Sequence, residues 1–219
     1  MNPILKRIIS ALSTAALVVL AIVYAPTNWI PPVFSVLLAL AVLEFALLLR
    51  RKEPLFSFGG ILGLLIGFLV LSAGLSALPA AAVRHGNLMM LYLIAIVKIS
   101  DMGGFAFGVS AAKLLKGGTH KLCPTVSPNK SWEGLFGSVV FSVVLSLAFL
   151  PITKFAVPQA VAFGVVAALV GTVGDLFESK FKRLVGVKDS ATFMPAGMGG
   201  FLDMLDSLLF APAVLLPFV

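Results

Sequence analysis

The chain has 219 residues, of which 60% are hydrophobic and only 11% are charged, so it carries too few polar side chains to cover the surface of a water-soluble globule. Its 16 Lys and Arg outnumber its 9 Asp and Glu, which gives a net charge of +7. The single cysteine, Cys123, excludes an internal disulfide and a metal site built on a thiol pair. These features predict an integral membrane protein.

Seven apolar stretches are long enough to cross a bilayer, which needs about 20 residues for each helix. They cover residues 8–25, 30–49, 56–78, 88–108, 134–152, 156–175 and 201–218. The first one follows Lys6 and Arg7 like a signal peptide, but it is long and lacks a good cleavage context, so we expect an uncleaved helix. We predict an all-α, single polytopic domain over 1–219, in which residues 1–80 form N-terminal helices and 88–219 hold the candidate site.

The positive charges indicate how these helices are oriented. If the N-terminus is cytoplasmic, only Arg84 and Lys154 fall on the opposite side, and Lys98 falls within the fourth helix. The other thirteen fall on the cytoplasmic side, mostly in the loops 109–133 and 176–200: Lys6, Arg7, Arg50, Arg51, Lys52, Lys113, Lys116, Lys121, Lys130, Lys180, Lys182, Arg183 and Lys188. This bias predicts a cytoplasmic N-terminus and a C-terminus on the other side. The same charges have a second interpretation, attraction of anionic lipid and nucleotide to that face.

Three carboxylates lie in or beside the last two apolar stretches. Asp175 ends the sixth stretch, and Asp203 and Asp206 open the seventh with the i, i+3 spacing that places both on one helix face. An acidic residue at the centre of a spanning helix costs roughly 2.5–3.5 kcal/mol, so these residues are functional candidates. Helix capping explains Asp203 alone, but not all three. Because Mg²⁺ prefers carboxylate oxygens, we predict that Asp175, Asp203 and Asp206 bind it.

Basic and glycine-rich segments accompany these carboxylates. Lys182, Arg183 and Lys188 precede the last helix, and Lys121 and Lys130 lie in the longer loop on the same side. Gly199 and Gly200 stand directly before the seventh stretch, where backbone N–H groups can approach an anion closely. Together with the carboxylates, these groups predict a site for nucleotide phosphates. Asp101, at the cytoplasmic end of the fourth helix, is predicted to reach the same depth.

These residues carry a family resemblance that spans most of the chain. The C-terminal pattern Ser179-x-x-Lys182-Arg183, Lys188-Asp189-Ser190-Ala191, Gly199-Gly200-x-x-Asp203-x-x-Asp206 resembles the signature of CDP-diacylglycerol synthases, also called phosphatidate cytidylyltransferases. The segments Asp101-Met102-Gly103-Gly104-Phe105 and Ser127-Pro128-Asn129-Lys130-Ser131-Trp132-Glu133-Gly134 resemble two further parts of that family. The family's histidine before the Asp pair is absent from the segment containing Met198, which is one residue longer, and Met204 replaces a common Arg. These departures bear on rate and lipid preference more than on metal binding.

The resemblance implies an enzyme of phospholipid biosynthesis that condenses CTP with phosphatidate to give CDP-diacylglycerol and pyrophosphate. It implies a multi-pass protein of the inner (cytoplasmic) membrane, with its active site facing the cytoplasm, a lipid bilayer as environment and no nucleic acid as partner; a homodimer is implied by the resemblance only. The implied catalytic residues are Asp175, Lys182, Asp203 and Asp206, the three Asp holding Mg²⁺ with room for a monovalent cation such as K⁺. The implied substrate-binding residues are Asp101, Lys121, Ser127, Lys130, Ser131, Arg183, Lys188, Asp189, Gly199 and Gly200.

Two other functions stay open at this point. A CTP-dependent polyprenol or phytol kinase shares the membrane setting and the nucleotide, but the segment from Ser127 to Gly134 and the spaced Asp pair favour the cytidylyltransferase. A membrane transporter can use buried carboxylates for coupling, but it predicts acidic residues near the midplane of the bilayer. Here they cluster at one face beside basic loops.

Overall fold

The computed structural model describes residues 16–52, 54, 57–115, 118–187, 202 and 205–219. Four of its helices are long and apolar enough to cross a membrane, at Thr27–Leu49, Phe58–His85, Asn87–Leu114 and Val157–Leu184. Two further apolar helical segments, Trp132–Ala148 and Asp206–Phe218, are shorter. The fold is therefore that of an all-α membrane protein, as the sequence predicts, while the number of spans and the orientation stay predictions.

The elements follow one another with short connections. Helix α1 covers residues 16–24, and a 3₁₀ turn at Thr27–Trp29 leads into α2 (Ile30–Leu49), α3 (Phe58–His85) and α4 (Asn87–Leu114). A hairpin of β1 (Lys121–Cys123) and β2 (Ser127–Ser131) comes next, followed by α5 (Trp132–Ala148), the single-turn α6 (Leu150–Thr153) and α7 (Val157–Leu184). The last described segment holds α8 (Ala211–Leu215) between 3₁₀ turns at Asp206–Leu208 and Leu216–Phe218.

Local sequence signals set several of these boundaries. Ser57 and Ser131 each place a hydroxyl oxygen where it accepts a hydrogen bond from the backbone N–H three residues later, so they cap α3 and α5. Proline near the start of α2 and α7 suits positions whose N–H has no partner within the helix. Gly86 has φ +89°, a conformation that glycine adopts without strain, and it separates α3 from α4.

The structure differs from the predicted loops and from the last predicted helix. Helix α4 continues to Leu114 and the hairpin fills much of 109–133, while α7 continues to Leu184 inside the predicted loop 176–200. Hydropathy marks where a helix leaves the lipid, but not where its hydrogen bonds end. The stretch 201–218 is not one continuous α-helix in its described part, because Pro212 and Pro217 lack the N–H that would continue it.

Two buried apolar clusters hold the helices together. One surrounds Tyr92, which is fully buried and hydrogen-bonds Ser146 through its hydroxyl. The other joins α2 and α3 to the end of the chain through Phe45, Leu75 and Leu209. Large apolar side chains such as Leu69 point outward, as a lipid-facing surface requires.

Helices α4 and α5 approach each other through small residues. A Cβ atom placed on Gly103 would lie 2.6 Å from the carbonyl oxygen of Gly137, and a Cβ on Gly137 would lie 2.5 Å from that of Gly103. Reciprocal glycines of this kind let two backbones meet closely in a membrane, where helix association depends on packing. The close contact places the C-terminal half of α4 beside the first turns of α5.

Candidate metal and substrate site

Three carboxylates from separate parts of the chain meet at one point. Asp101 comes from α4, Asp175 from α7 and Asp206 from the 3₁₀ turn that follows. Each offers one oxygen, and the three oxygens lie within 4.8 Å of one another. One oxygen of Asp175, Oδ1, is buried and has no hydrogen-bond partner among the described residues. Three carboxylates at this spacing, with an unsatisfied oxygen on one of them, fit a Mg²⁺ ion.

Two lysines contact this carboxylate cluster. The Lys130 Nζ atom lies 2.5 Å from Oδ2 of Asp175. The Lys98 Nζ atom lies 3.9 Å from Oδ2 of Asp101 and 3.9 Å from Oδ1 of Asp206, and it donates a hydrogen bond of 2.9 Å to the Ser207 hydroxyl. Three acidic side chains against two lysines leave an excess of acidic groups, which a bound divalent cation would offset.

A cavity of about 560 Å³ adjoins the cluster, a volume within the roughly 300–1,000 Å³ of small-molecule sites. Its apolar lining residues include Phe105, Val109 and Leu135. Its polar lining includes six residues of the predicted site, Asp101, Lys121, Ser127, Lys130, Ser131 and Asp175. Residues from α4, α5, α7 and the hairpin thus face one space, as a site for two substrates would require.

The hairpin is held against the start of α5. Lys121 pairs with Ser131 across its two strands. The His120 backbone N–H donates to Oε1 of Glu133 at 3.1 Å, and the His120 Nδ1 atom lies 2.7 Å from the same oxygen. This contact with the His120 ring holds the pKa of Glu133 at about 2, below its usual value of 4.5. The contact joins the residue before β1 to the first turn of α5.

Ser131 has a structural task besides its place in the cavity wall. It is buried, and its Oγ atom accepts the backbone N–H of Gly134 at 3.1 Å. The hydroxyl therefore caps α5, and a ligand can only use its hydrogen or its second lone pair. Ser127 lies at the far end of the hairpin, where it pairs with Cys123.

The structure places Lys182 and Arg183 away from the cavity wall. The Lys182 Nζ atom lies 2.7 Å from Oε2 of Glu178, and Lys182 stands seven residues after Asp175, which is about 10 Å along a helix axis. Arg183 is exposed near the end of α7. Neither is among the described residues that line the cavity. Lys188, Asp189, Gly199, Gly200 and Asp203 lie outside the described residues, so their roles stay predictions.

Sequence reasoning placed Lys98 within the fourth helix but gave it no role in the site, and it assigned Asp101 to substrate binding and not to the carboxylate cluster. Both residues carried a usable signal, because they are charged, three residues apart and inside an apolar stretch. The i, i+3 spacing of Asp203 and Asp206 led to the prediction that two of the three ligands come from one helix. The cluster in the described part of the chain instead takes one carboxylate from each of three segments.

Comparison with known proteins identifies the family of the chain. The model of the cytidylyltransferase family matches residues 3–219. A phosphatidate cytidylyltransferase of Staphylococcus aureus (strain COL) is 42% identical over 123 residues, which is 55% of this chain and 45% of the relative. The phosphatidate cytidylyltransferase of Haemophilus influenzae is 36% identical over 130 residues, 57% of this chain and 43% of the relative.

A further relative is the uncharacterized protein YnbB of Escherichia coli (strain K12), which is 36% identical over 149 residues. That match covers 68% of this chain and 48% of YnbB. The chain thus spans about half the length, or somewhat less, of the curated relatives that it matches.

Proposed function

The chain belongs to the cytidylyltransferase family, and from this membership we propose that it transfers a cytidylyl group from CTP to phosphatidate, giving CDP-diacylglycerol and pyrophosphate. One observation carries the proposal. The oxygens of Asp101, Asp175 and Asp206 gather within 4.8 Å, and Lys121 and Lys130 line the cavity that adjoins them. Cation-binding and phosphate-binding groups on one space suit a reaction between two phosphates.

The proposed chemistry needs no general base. A phosphate monoester with a second pKa near 6 is largely a dianion at pH 7, so the phosphatidate oxygen is already a nucleophile. It would attack the α-phosphorus of CTP, forming the new P–O bond, while the bond between the α-phosphorus and the bridging oxygen of the β-phosphate breaks. The electron pair would leave with pyrophosphate. The protein has to align the two phosphates and offset their charge.

The described residues divide these tasks. Asp101, Asp175 and Asp206 would hold Mg²⁺, which when bound supplies positive charge next to the phosphates. Lys130 and Lys121 would bind phosphate oxygens from the hairpin side of the cavity. Lys98 would hold Asp101 and Asp206 in place from within the membrane through the contacts described above.

The mixed lining of the cavity suits two unlike substrates. CTP is water-soluble, and the polar residues of the hairpin would contact it. Phosphatidate carries its phosphate at the membrane surface, and apolar lining residues such as Phe105 and Val109 would contact its glycerol and upper acyl carbons. Phe105 is also strongly exposed on the outside of α4. We place this site at the cytoplasmic surface of the cell membrane.

The experiment that tests the proposal follows the label of CTP. Purified protein in detergent is given phosphatidate, Mg²⁺ and CTP labelled at either the α- or the γ-phosphate. We expect α-label to enter a chloroform-extractable product and γ-label to stay in water. Transfer of γ-label to lipid would establish a kinase instead, and no transfer of either label to any lipid acceptor would count against an enzyme of this class.

A further inference from the structure

A buried acidic residue outside the carboxylate cluster contacts the segment that carries Asp206. Glu44 lies on α2 and is fully buried, with 0% of its surface exposed. Its Oε2 atom accepts a hydrogen bond of 2.8 Å from the backbone N–H of Leu202, although the two residues are 158 positions apart. Leu202 precedes Asp206 by four residues and is itself 3% exposed.

Burying a carboxylate at this place costs free energy of folding, so its presence calls for an explanation. The effective penalty for removing an ion from water is several kcal/mol, and only good hydrogen bonds offset it. The neighbours of Glu44 on α2 include Ala41, Phe45 and Leu48, which belong to an apolar cluster with Leu202. A leucine would pack in such surroundings without that penalty, but it could not accept a hydrogen bond from the backbone.

The chain segment that follows Leu202 also packs closely against two helices at glycine residues. A Cβ atom on Gly174 of α7 would lie 2.6 Å from the carbonyl oxygen of Asp206, and a Cβ on Gly74 of α3 would collide with the carbonyl oxygens of Leu208 and Leu209. The backbone around Asp206 therefore lies directly against α7 and α3. The hydrogen bond from Leu202 to Glu44 adds a directional restraint from α2, before the Asp206 turn begins.

We propose that Glu44 is a positioning residue for the metal site, fixing through Leu202 the depth at which Asp206 meets Asp101 and Asp175. The inference rests on the proposed function, because it takes these three carboxylates as metal ligands. Glu44 acts on the position of a ligand, and neither the ion nor a substrate is required to contact it. It acts like the outer partners of metal ligands, whose loss lowers metal affinity or activity by about 10–100-fold.

The test measures metal binding directly, without substrate or turnover. The full chain in detergent is titrated with Mn²⁺, and the EPR signal of free Mn²⁺ gives the dissociation constant. E44L removes the acceptor, E44D withdraws the carboxylate by one methylene, and E44Q keeps an acceptor oxygen at the same reach. We expect E44L and E44D to weaken Mn²⁺ binding by about 10–100-fold and E44Q to stay close to wild type.

L202A is the matched control, because it trims the same buried cluster but keeps the backbone N–H. It should lower the melting temperature while Mn²⁺ binding is retained. Folded E44L and E44D proteins with wild-type affinity would overturn the inference, as would an E44Q protein that loses as much affinity as E44L. If E44L does not fold, the Mn²⁺ affinities of E44D and E44Q are compared, and equal affinities would overturn the inference. A wild-type protein that binds no Mn²⁺ would overturn the metal site of the proposed function itself, a distinct result.

Discussion

Lys130 of the hairpin and Asp175 of α7 form an ion pair of 2.5 Å across the cavity wall, joining two elements that are 45 residues apart. Both side chains are largely shielded from solvent, with 24% and 17% of their surfaces exposed. The pair uses one oxygen of Asp175 and leaves Oδ1 without a hydrogen-bond partner in the described part of the chain. Asp175 therefore keeps one oxygen available for the proposed metal ion while the other contacts Lys130, and both residues line the cavity proposed to hold the phosphates.

Lys130→Met should lower turnover without weakening metal binding. The variant keeps all three carboxylates but loses the cation beside the reacting phosphates, so we expect kcat to fall by about 10²–10³ while Mn²⁺ affinity is unchanged or higher. Lys113→Met, on the exposed end of α4, is the control and should behave as wild type. A Lys130→Met protein with normal turnover would remove this lysine from the proposed mechanism.

Asp101→Asn should impair metal binding as severely as Asp206→Asn does. Both remove one oxygen ligand from the cluster within 4.8 Å, so each variant should need far more Mg²⁺ for activity and lose the rise in melting temperature that Mg²⁺ gives. For wild type, Mg²⁺ at 100 times its dissociation constant should add about 2.7 kcal/mol to the free energy of unfolding, and EDTA should reverse it.

Asp203→Asn should be measured in the same series. Asp203 is a metal ligand predicted from the sequence, and it lies outside the described residues. Glu133→Gln is the control, since it removes a carboxylate that holds the hairpin and lies outside the cluster. If Asp101→Asn leaves the Mg²⁺ dependence unchanged while Asp203→Asn abolishes it, the metal site contains the predicted Asp pair and not Asp101.

Lys98→Met should make the fold depend on the metal. Without the ammonium group, the carboxylates of Asp101 and Asp206 lose a nearby cation. Because the Lys98 side chain is partly exposed, we expect a loss of about 1–3 kcal/mol in EDTA. Mg²⁺ should restore more of this loss than it adds to wild type. Ser207→Ala removes only the hydroxyl partner of Lys98 and should lose about 0.5–1.5 kcal/mol. Equal stability of Lys98→Met and wild type in EDTA would contradict the prediction.

Gly103→Ala should force α4 and α5 apart. The new methyl group would lie 2.6 Å from the Gly137 carbonyl oxygen and from Cβ of Phe141, so we expect a destabilisation of about 1–3 kcal/mol. Gly171→Ala is a matched control, because its Cβ would make an ordinary contact of 3.6 Å with Val97 and alanine favours a helix by about 1 kcal/mol over glycine. Thermal melts in detergent compare the two, and an equal effect of both would argue against close packing at Gly103.

The all-α membrane fold was predictable, because long apolar stretches stand out in the sequence. Asp101, Asp175 and Asp206 were all predicted to lie at one depth, and the structure brings their oxygens within 4.8 Å of one another, while their side of the membrane stays a prediction. The choice of cluster members was harder, since spacing along one helix shows which residues share its face but not which other helix approaches it. The hairpin was missed for a different reason. Ser-Pro-Asn-Lys-Ser has no strand pattern, and its pairing depends on contacts such as the one between His120 and Glu133.

The origin of the cluster in three separate segments also bears on when the proposed activity could arise during synthesis. A ribosome adds about 5–20 residues per second, so Asp101 is made seconds before Asp206. A nascent chain that reaches only the end of α7 holds two of the three carboxylates and lacks Leu202, which donates to Glu44. Under the proposed function, such an unfinished chain would not consume CTP, because its metal site would still lack Asp206.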